Sequence, residues 1–383
     1  MSASTRNRYV FRASVVLAAS AIACSEGSNV EPRPDDPPPP DAGDARDVDA
    51  ASDAGCSTCD WFPARCTRGA LCAVDVSFEP TKVLMALGVY DGRVTAVGTR
   101  GAVLELAANK WESGGVGTYD TLRAIATHGG ELWAANSLDA VFVRSPGAAS
   151  WTQLSARGGS YFTRAQPING LFGDPHRPWA WAAITPVCAG GFDRDGVSLV
   201  RLRREPTRID AEVVFKEDGL TPSCAGLNAI DGTGDELWAA GDRGALYKVV
   251  DLESDTPRVL PENSRTRETL LAVWAEASGH VWASGKNGTV VHRAPGQPFT
   301  VEGVPASGAL HAVHGTSASD VWLVGAEATV LHFDGRQWSR VPVAGLGDRR
   351  PTLRAVAAAA PDRVVVAGDG ILLTLATDDG RSP

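Results

Sequence analysis

Hydrophobic residues along most of this chain come in short alternating runs, not in the wide stripes of amphipathic helices. Such runs, bounded by Gly, Asn, Asp and Pro, predict short β-strands joined by tight turns. One unit recurs: an apolar residue, usually a tryptophan after it, two small residues, often a glycine, a turn, and a second apolar run. The clearest copies are Leu237-Trp-Ala-Ala-Gly241 with Gly244-Ala-Leu-Tyr247, Val281-Trp-Ala-Ser-Gly285 with Gly288-Thr-Val-Val-His292, and Val321-Trp-Leu-Val-Gly325 with Thr329-Val-Leu-His332. Weaker copies begin at Val94, Leu132, Ala180 and Val364.

Aligned positions are Thr95, Trp133, Trp181, Trp238, Trp282, Trp322 and Val365, spaced by 38, 48, 57, 44, 40 and 43 residues. Each copy is preceded by a further apolar strand, as in Leu122–Ile125, Leu227–Ile230, Leu310–Val313 and Leu353–Val356. Several are followed by a strand opening on Trp111, Trp151 or Trp338. Seven units of about four strands at a period of 40–50 residues predict an all-β fold, a seven-bladed β-propeller over 72–376. The last unit lacks its fourth strand, while Cys72–Phe78 has no home. An N-terminal strand pairing near 371–375 closes the ring and removes the open edge. Asn287-Gly288 predicts a two-residue hairpin turn.

The first residues read differently. Arg6, Arg8 and Arg12 precede the uncharged run Ala13–Ala23, too short to span a bilayer. Residues 1–23 are therefore expected to be a signal peptide. Ala21-Ile-Ala-Cys24 resembles the bacterial lipobox, with Ala21 where leucine is commonest, which implies lipidation of Cys24. Residues 24–55 then form a Pro/Asp/Ala-rich tether. Positions 25–55 carry nine acids against two arginines, a net −7 out of −9 for the chain. With so few large apolar groups the tether is expected to be disordered and semi-extended. This address implies an exported, membrane-attached protein of the cell envelope, at the outer membrane.

Seven cysteines leave six to pair once Cys24 is lipidated. Cys56, Cys59, Cys66 and Cys72 crowd the segment 56–71 and its border, while Cys188 and Cys224 lie far along the chain. An oxidising compartment favours disulfides over zinc ligation, because the second pair lacks the tight spacing of a zinc site. Cys188 and Cys224 fall in two enlarged loops of the third unit (184–196 and about 216–226), expected on one face and stapled there. The connectivity of the other four stays open. No basic stripe points to nucleic acid, and no metal or cofactor motif is present. Residues 377–383 are a tail.

The Val-Trp-Ala-x-Gly and Leu-His-Phe-Asp-Gly-Arg-Gln-Trp repeats resemble the bacterial neuraminidase-repeat propellers, closest to the branch similar to photosystem II stability/assembly factors. The resemblance spans about 72–376 and implies fold; propellers host many activities. It brings two function classes. A sialidase-like glycosidase needs an arginine cluster, a tyrosine nucleophile and acids; none of Tyr9, Tyr90, Tyr119, Tyr161 or Tyr247 stands in such a context. A non-catalytic, monomeric module binding an envelope protein or glycan needs only the fold, an anchor and a presented face. The second residue of each innermost strand is expected at the channel mouth: Met85, Arg123, Asn169, Asn228, Leu271, His311 and Arg354. Five of these are polar and form the candidate ligand ring: Arg123, Asn169, Asn228, His311 and Arg354.

Overall fold

The computed structural model of the protein describes residues 60–76, 79, 81–90, 93–107, 110–157, 167–185, 196–217 and 226–377. They contain strands and four one-turn 3-10 segments, with no α-helix among them. The strands form seven sheets, each an antiparallel meander running outward from an inner strand. Those inner strands are Leu84–Tyr90, Ala124–His128, Ile168–Phe172, Leu227–Thr233, Leu270–Ala275, Leu310–Ser317 and Leu353–Ala360. Each touches the inner strand on either side, and that of blade 7 meets that of blade 1. The protein is a seven-bladed propeller.

Ring closure follows the expected route. Leu71–Ala73 pairs antiparallel with Ile371–Leu375, in the register Leu71↔Leu375 and Ala73↔Leu373. The closing strand is shorter than the predicted 72–78. Its outer edge is covered by Val343–Ala344, which adds a parallel fifth strand. Blade 3 is widened in the same way: Ala156–Arg157, arriving from blade 2, pairs parallel with Ile209–Glu217. A covered edge cannot template pairing with a second chain.

The recurring tryptophans lie between blades. Trp133, Trp181, Trp238 and Trp282 are fully buried. Trp282 and Trp322 each carry a histidine from the next strand stacked on the indole, His292 at 3.6 Å and His332 at 4.2 Å. In blade 1 Thr95 takes the tryptophan position; its hydroxyl donates to Glu105, which also pairs with Arg144 of blade 2.

The glycine that ends each motif has a steric cause. A Cβ on Gly98, Gly241, Gly285, Gly325 or Gly368 would lie 2.0–2.2 Å from the carbonyl oxygen of the residue just before the inner strand. The following turn needs φ above zero: Asn287 (φ 54) and Gly288 (φ 64) form the expected two-residue turn, closed by Thr289 N–H donating to Lys286 O. Lys286 N–H donates to Thr269 O of its own blade, and Gly288 N–H to Gly308 O of the next. Gly370 N–H donates to Lys82 O and carries the same stitch across the closure.

Candidate functional site

A channel of about 600 Å3 runs along the axis, lined by all seven inner strands. In blades 1 and 3 to 7 the strand pairing shifts by one between its first and third residue, for example between Leu227 and Ala229. The second residue of the strand is therefore the extra residue of a β-bulge. A bulge re-aims its side chain out of the sheet's alternation. This places Met85, Asn169, Asn228, Leu271, His311 and Arg354 on the channel, and Arg123 joins them ahead of the inner strand of blade 2. All five candidate ring residues are thus brought together at one mouth.

The five differ in what they have left to offer. Asn169 Nδ2 donates to Thr185 Oγ1 (2.6 Å) and to Leu227 O of blade 4 (2.9 Å). Asn228 Nδ2 donates to Asp242 Oδ1 (3.3 Å) and to Leu270 O of blade 5 (2.9 Å). Both amide donors are spent clamping one blade to the next. Arg354 is held in a two-pronged pair with Asp369 (2.5 and 3.1 Å). His311 keeps its pKa below the usual histidine value, first through burial and then through the adjacent Arg354 cation. Arg123 is exposed and makes no side-chain bond among the described residues. In three blades the partner of the bulge residue is the one following the second strand: Thr185, Asp242 and Asp369. That pairing at a separation of 14–16 residues is a sequence signal the ring alone did not reveal.

Deeper, the lining turns apolar through Leu87, Ile125, Leu171, Ile230, Val273, Val313 and Val356. Two titratable groups interrupt it. Asp231 accepts a hydrogen bond from the Ala275 amide of blade 5 (2.8 Å), and burial lifts its pKa to about 7. His314 accepts from the Ala358 amide of blade 7 at Nδ1 (3.3 Å), and burial lowers its pKa to about 4. The imidazole is then neutral at pH 7, with its proton on Nε2. Trp274 of blade 5, whose ring lies 5.7 Å from that of His314, stands between the two. Each side chain caps an inner-strand amide that faces the channel, where no further strand can accept it. Sequence reading missed both, since lone Asp and His residues in strands carry no spacing signal.

Exposed cations surround the mouth. Around the mouth, Arg100, Arg243 and Lys286 in hairpin turns and Arg265 and Arg267 in the connection to blade 5 are exposed. Like Arg123 they have no side-chain partner among the described residues. Glu262, Glu327 and Asp348 are unpaired acids beside them. At the opposite end Arg177 pairs with Asp235 and Glu253, Arg258 with Asp251, Lys248 with Glu236, and Arg204 with Glu131, while Arg93, Lys110 and Arg336 are exposed with no side-chain hydrogen bond or ion pair among the described residues. Tyr119, 92% exposed, also stands on the mouth side, three residues before Leu122.

Catalytic groups do not converge among the described residues. Among the described residues Asp231 is the sole carboxylate of the channel lining, and no tyrosine lines it. Tyr90 is tied to Gly130 O and Tyr247 packs on Phe215. No cluster of three or more His, Cys, Asp or Glu is placed to hold a metal, among the described residues. Of the cysteines, Cys66 and Cys72 are joined, with Cα atoms 5.6 Å apart. Cys24, Cys56, Cys59, Cys188 and Cys224, the two enlarged loops of blade 3 and Tyr161 lie outside the described residues.

Solved structures with this architecture decide the fold. "YCF48 bound to D1 peptide" matches with a TM-score of 0.61 and 15% identity, over 84% of this chain and 100% of that one. The chain is similar in fold to the YCF48 β-propeller. YCF48 from Cyanidioschyzon merolae follows at 0.60 and 17% identity, covering 80% and 98%. The WD40 β-propeller domain of Doa1 gives 0.54 and 11%, over 83% and 99%. No family model matches, and no curated protein matches in sequence. At these identities the likeness is one of fold, in agreement with the expected resemblance to photosystem II stability/assembly-factor-like propellers.

Proposed function

We propose that this chain is a non-catalytic lipoprotein of the cell envelope that uses its channel mouth to bind an acidic, extended segment of another protein. One observation carries the reading: the bulge ring and its surrounding turns gather Arg123, Arg100, Arg243, Lys286, Arg265 and Arg267 around one channel mouth, exposed and without side-chain partners among the described residues. Unpaired guanidinium groups beside an exposed tyrosine are the residue types that anchor interfaces. The solved YCF48 that carries a D1 peptide supports a peptide segment, rather than a sugar, as the ligand class. A glycosidase needs two carboxylates or a tyrosine–acid pair at one place, and the channel lining holds one carboxylate among the described residues.

The anchor rests on the sequence of residues 1–55. Lipid on Cys24 would hold the propeller at the membrane, with the tether spacing it from the surface. Cys24→Ser is expected to move the protein from the membrane to the soluble fraction of exported protein. Binding is tested by cross-linking in native envelopes, followed by mass-spectrometric identification of the captured protein. Arg123→Ser/Arg267→Ser is expected to lose the captured protein. Equal capture by the double variant would remove the mouth as the binding surface.

A further inference from the structure

Below the mouth ring the channel loses its sevenfold likeness. Three positions further along each inner strand, blades 4 to 6 place Asp231, Trp274 and His314, whereas blades 1, 2 and 7 place only Gly88, Ala126 and Ala357. One wall of the throat is therefore bulky and hydrogen-bonding, and the facing wall leaves room. The bulky wall is held in place. A Cβ on Gly315 would lie 2.7 Å from the Trp274 ring, so blade 6 keeps a glycine where that indole fits. Asp231 and His314, on either side of Trp274, are each tied to an amide of the next blade, Ala275 and Ala358.

Those contacts use acceptors and leave donors. His314 accepts at Nδ1, and its Nε2–H has no partner among the described residues. Asp231 accepts at Oδ2, and its carboxyl keeps a proton up to about pH 7, which gives it an O–H to donate. Both side chains are half-buried and reach the lumen. Between them and the mouth lies the ring of branched aliphatics, from Leu87 round to Val356. At the mouth Arg123 lines the channel, exposed and with no side-chain partner among the described residues. Three residue steps of strand separate the two levels, roughly 10 Å. A channel of about 600 Å3 has the size and the make-up of a small-molecule site, mostly apolar with a few placed polar groups. Neutral donors call for a neutral acceptor, and the cation at the other level calls for an anion. Water satisfies the donors but gains nothing on the aliphatic ring, whereas one solute covers all three zones.

We propose that the channel binds a small, elongated carboxylic acid that carries a neutral carbonyl oxygen. Its carboxylate pairs with Arg123, its apolar body lies along the aliphatic ring, and its carbonyl accepts from His314 Nε2–H and from the Asp231 carboxyl. This site lies inside the ring and goes beyond the protein segment argued for the outer face, with Arg123 common to both. Filling the channel engages Arg123 and leaves the turn cations to that segment.

The test uses the full-length chain kept soluble by Cys24→Ser, at pH 6, where Asp231 is protonated and His314 neutral. The probe is 4-(4-benzoylphenyl)butanoate, an apolar acid with a ketone far from its carboxylate. Its control is 4-(4-benzylphenyl)butanoate, identical but for a methylene in place of the ketone. Calorimetric titration is expected to give a Kd on the order of 0.1 mM for the ketone and about tenfold weaker binding for the control. His314→Leu is expected to shrink that gap to about threefold, and Arg123→Ser to weaken both compounds about fivefold. Irradiating the bound ketone links it to nearby C–H groups, and the link is expected within 85–89, 123–127, 271–274 or 311–314. The two compounds and the link are read on the otherwise native chain, so they decide the matter even where His314→Leu fails to fold. No binding of the ketone at about 1 mM, equal affinity for the two compounds, or a link outside the channel each overturns the proposal. So does a gap unchanged in folded His314→Leu, or an affinity unchanged by Arg123→Ser. No protein partner enters this titration, and its failure leaves capture in native envelopes as a separate reading of the outer face.

Discussion

Asp231 and His314 hold opposite ends of one argument about pH. Asp231 has its pKa raised from 3.8 to about 7, so the folded state keeps a proton that the unfolded chain has already released. Stability contributed by the protonated form is complete below pH 4 and is lost as pH rises toward 7. His314 is lowered from 6.5 to about 4, so the folded state refuses a proton the unfolded chain accepts. Its contribution is complete above pH 6.5 and is lost as pH falls toward 4. Between about pH 4 and 6.5 the two slopes oppose and largely cancel in the native protein. At about 1.4 kcal/mol per pH unit, the displacements correspond to about 4 and about 3 kcal/mol. Solvent in the channel and local relaxation reduce each to about 2. Asp231→Asn keeps an oxygen to accept the Ala275 amide and removes only the charge. Its stability relative to native protein, measured by urea unfolding from pH 4 to 8, is expected to climb by about 2 kcal/mol and level off near pH 7. His314→Asn keeps an acceptor for the Ala358 amide, and its relative stability should instead climb as pH falls from 6.5 to 4. Difference curves that stay flat across this range, or that share one sign, would refute the account of the throat.

Other consequences are simpler to measure. Gly285→Ala drives a Cβ to within 2.1 Å of Thr269 O and should cost about 3 kcal/mol or more, whereas Gly114→Ala meets nothing within 4 Å and should stay within about 0.5 kcal/mol. Asn228→Ala takes the side-chain donor from the Leu270 carbonyl and one of two donors from the Asp242 carboxylate, which keeps the Gly226 amide, and thermal unfolding should report a loss of about 1–2 kcal/mol. Leu71→Asp places an unpaired charge at the fully buried Leu71 position of the closing strand, and proteolysis should begin at blade 7 under conditions where the native ring resists.

The sequence by itself settled the repeat, the number of blades and the closure. Each is written locally: Trp-Ala-x-Gly fits one strand, its tight approach and its turn, and seven copies leave one strand over and one vacancy. It also named the ring at Arg123, Asn169, Asn228, His311 and Arg354, because the second position is counted from the same repeat. Only the tertiary structure decided which of these are free. Asn169 and Asn228 look as polar in sequence as Arg123, yet their donors are consumed by carbonyls of the next blade, 58 and 42 residues away. The bulge that turns each residue into the channel depends on how two strands pair, not on either strand alone. Asp231 and His314 acquire their altered proton affinities from a throat formed by seven separate strands. Burial is a property of the closed ring, and no single blade contains it.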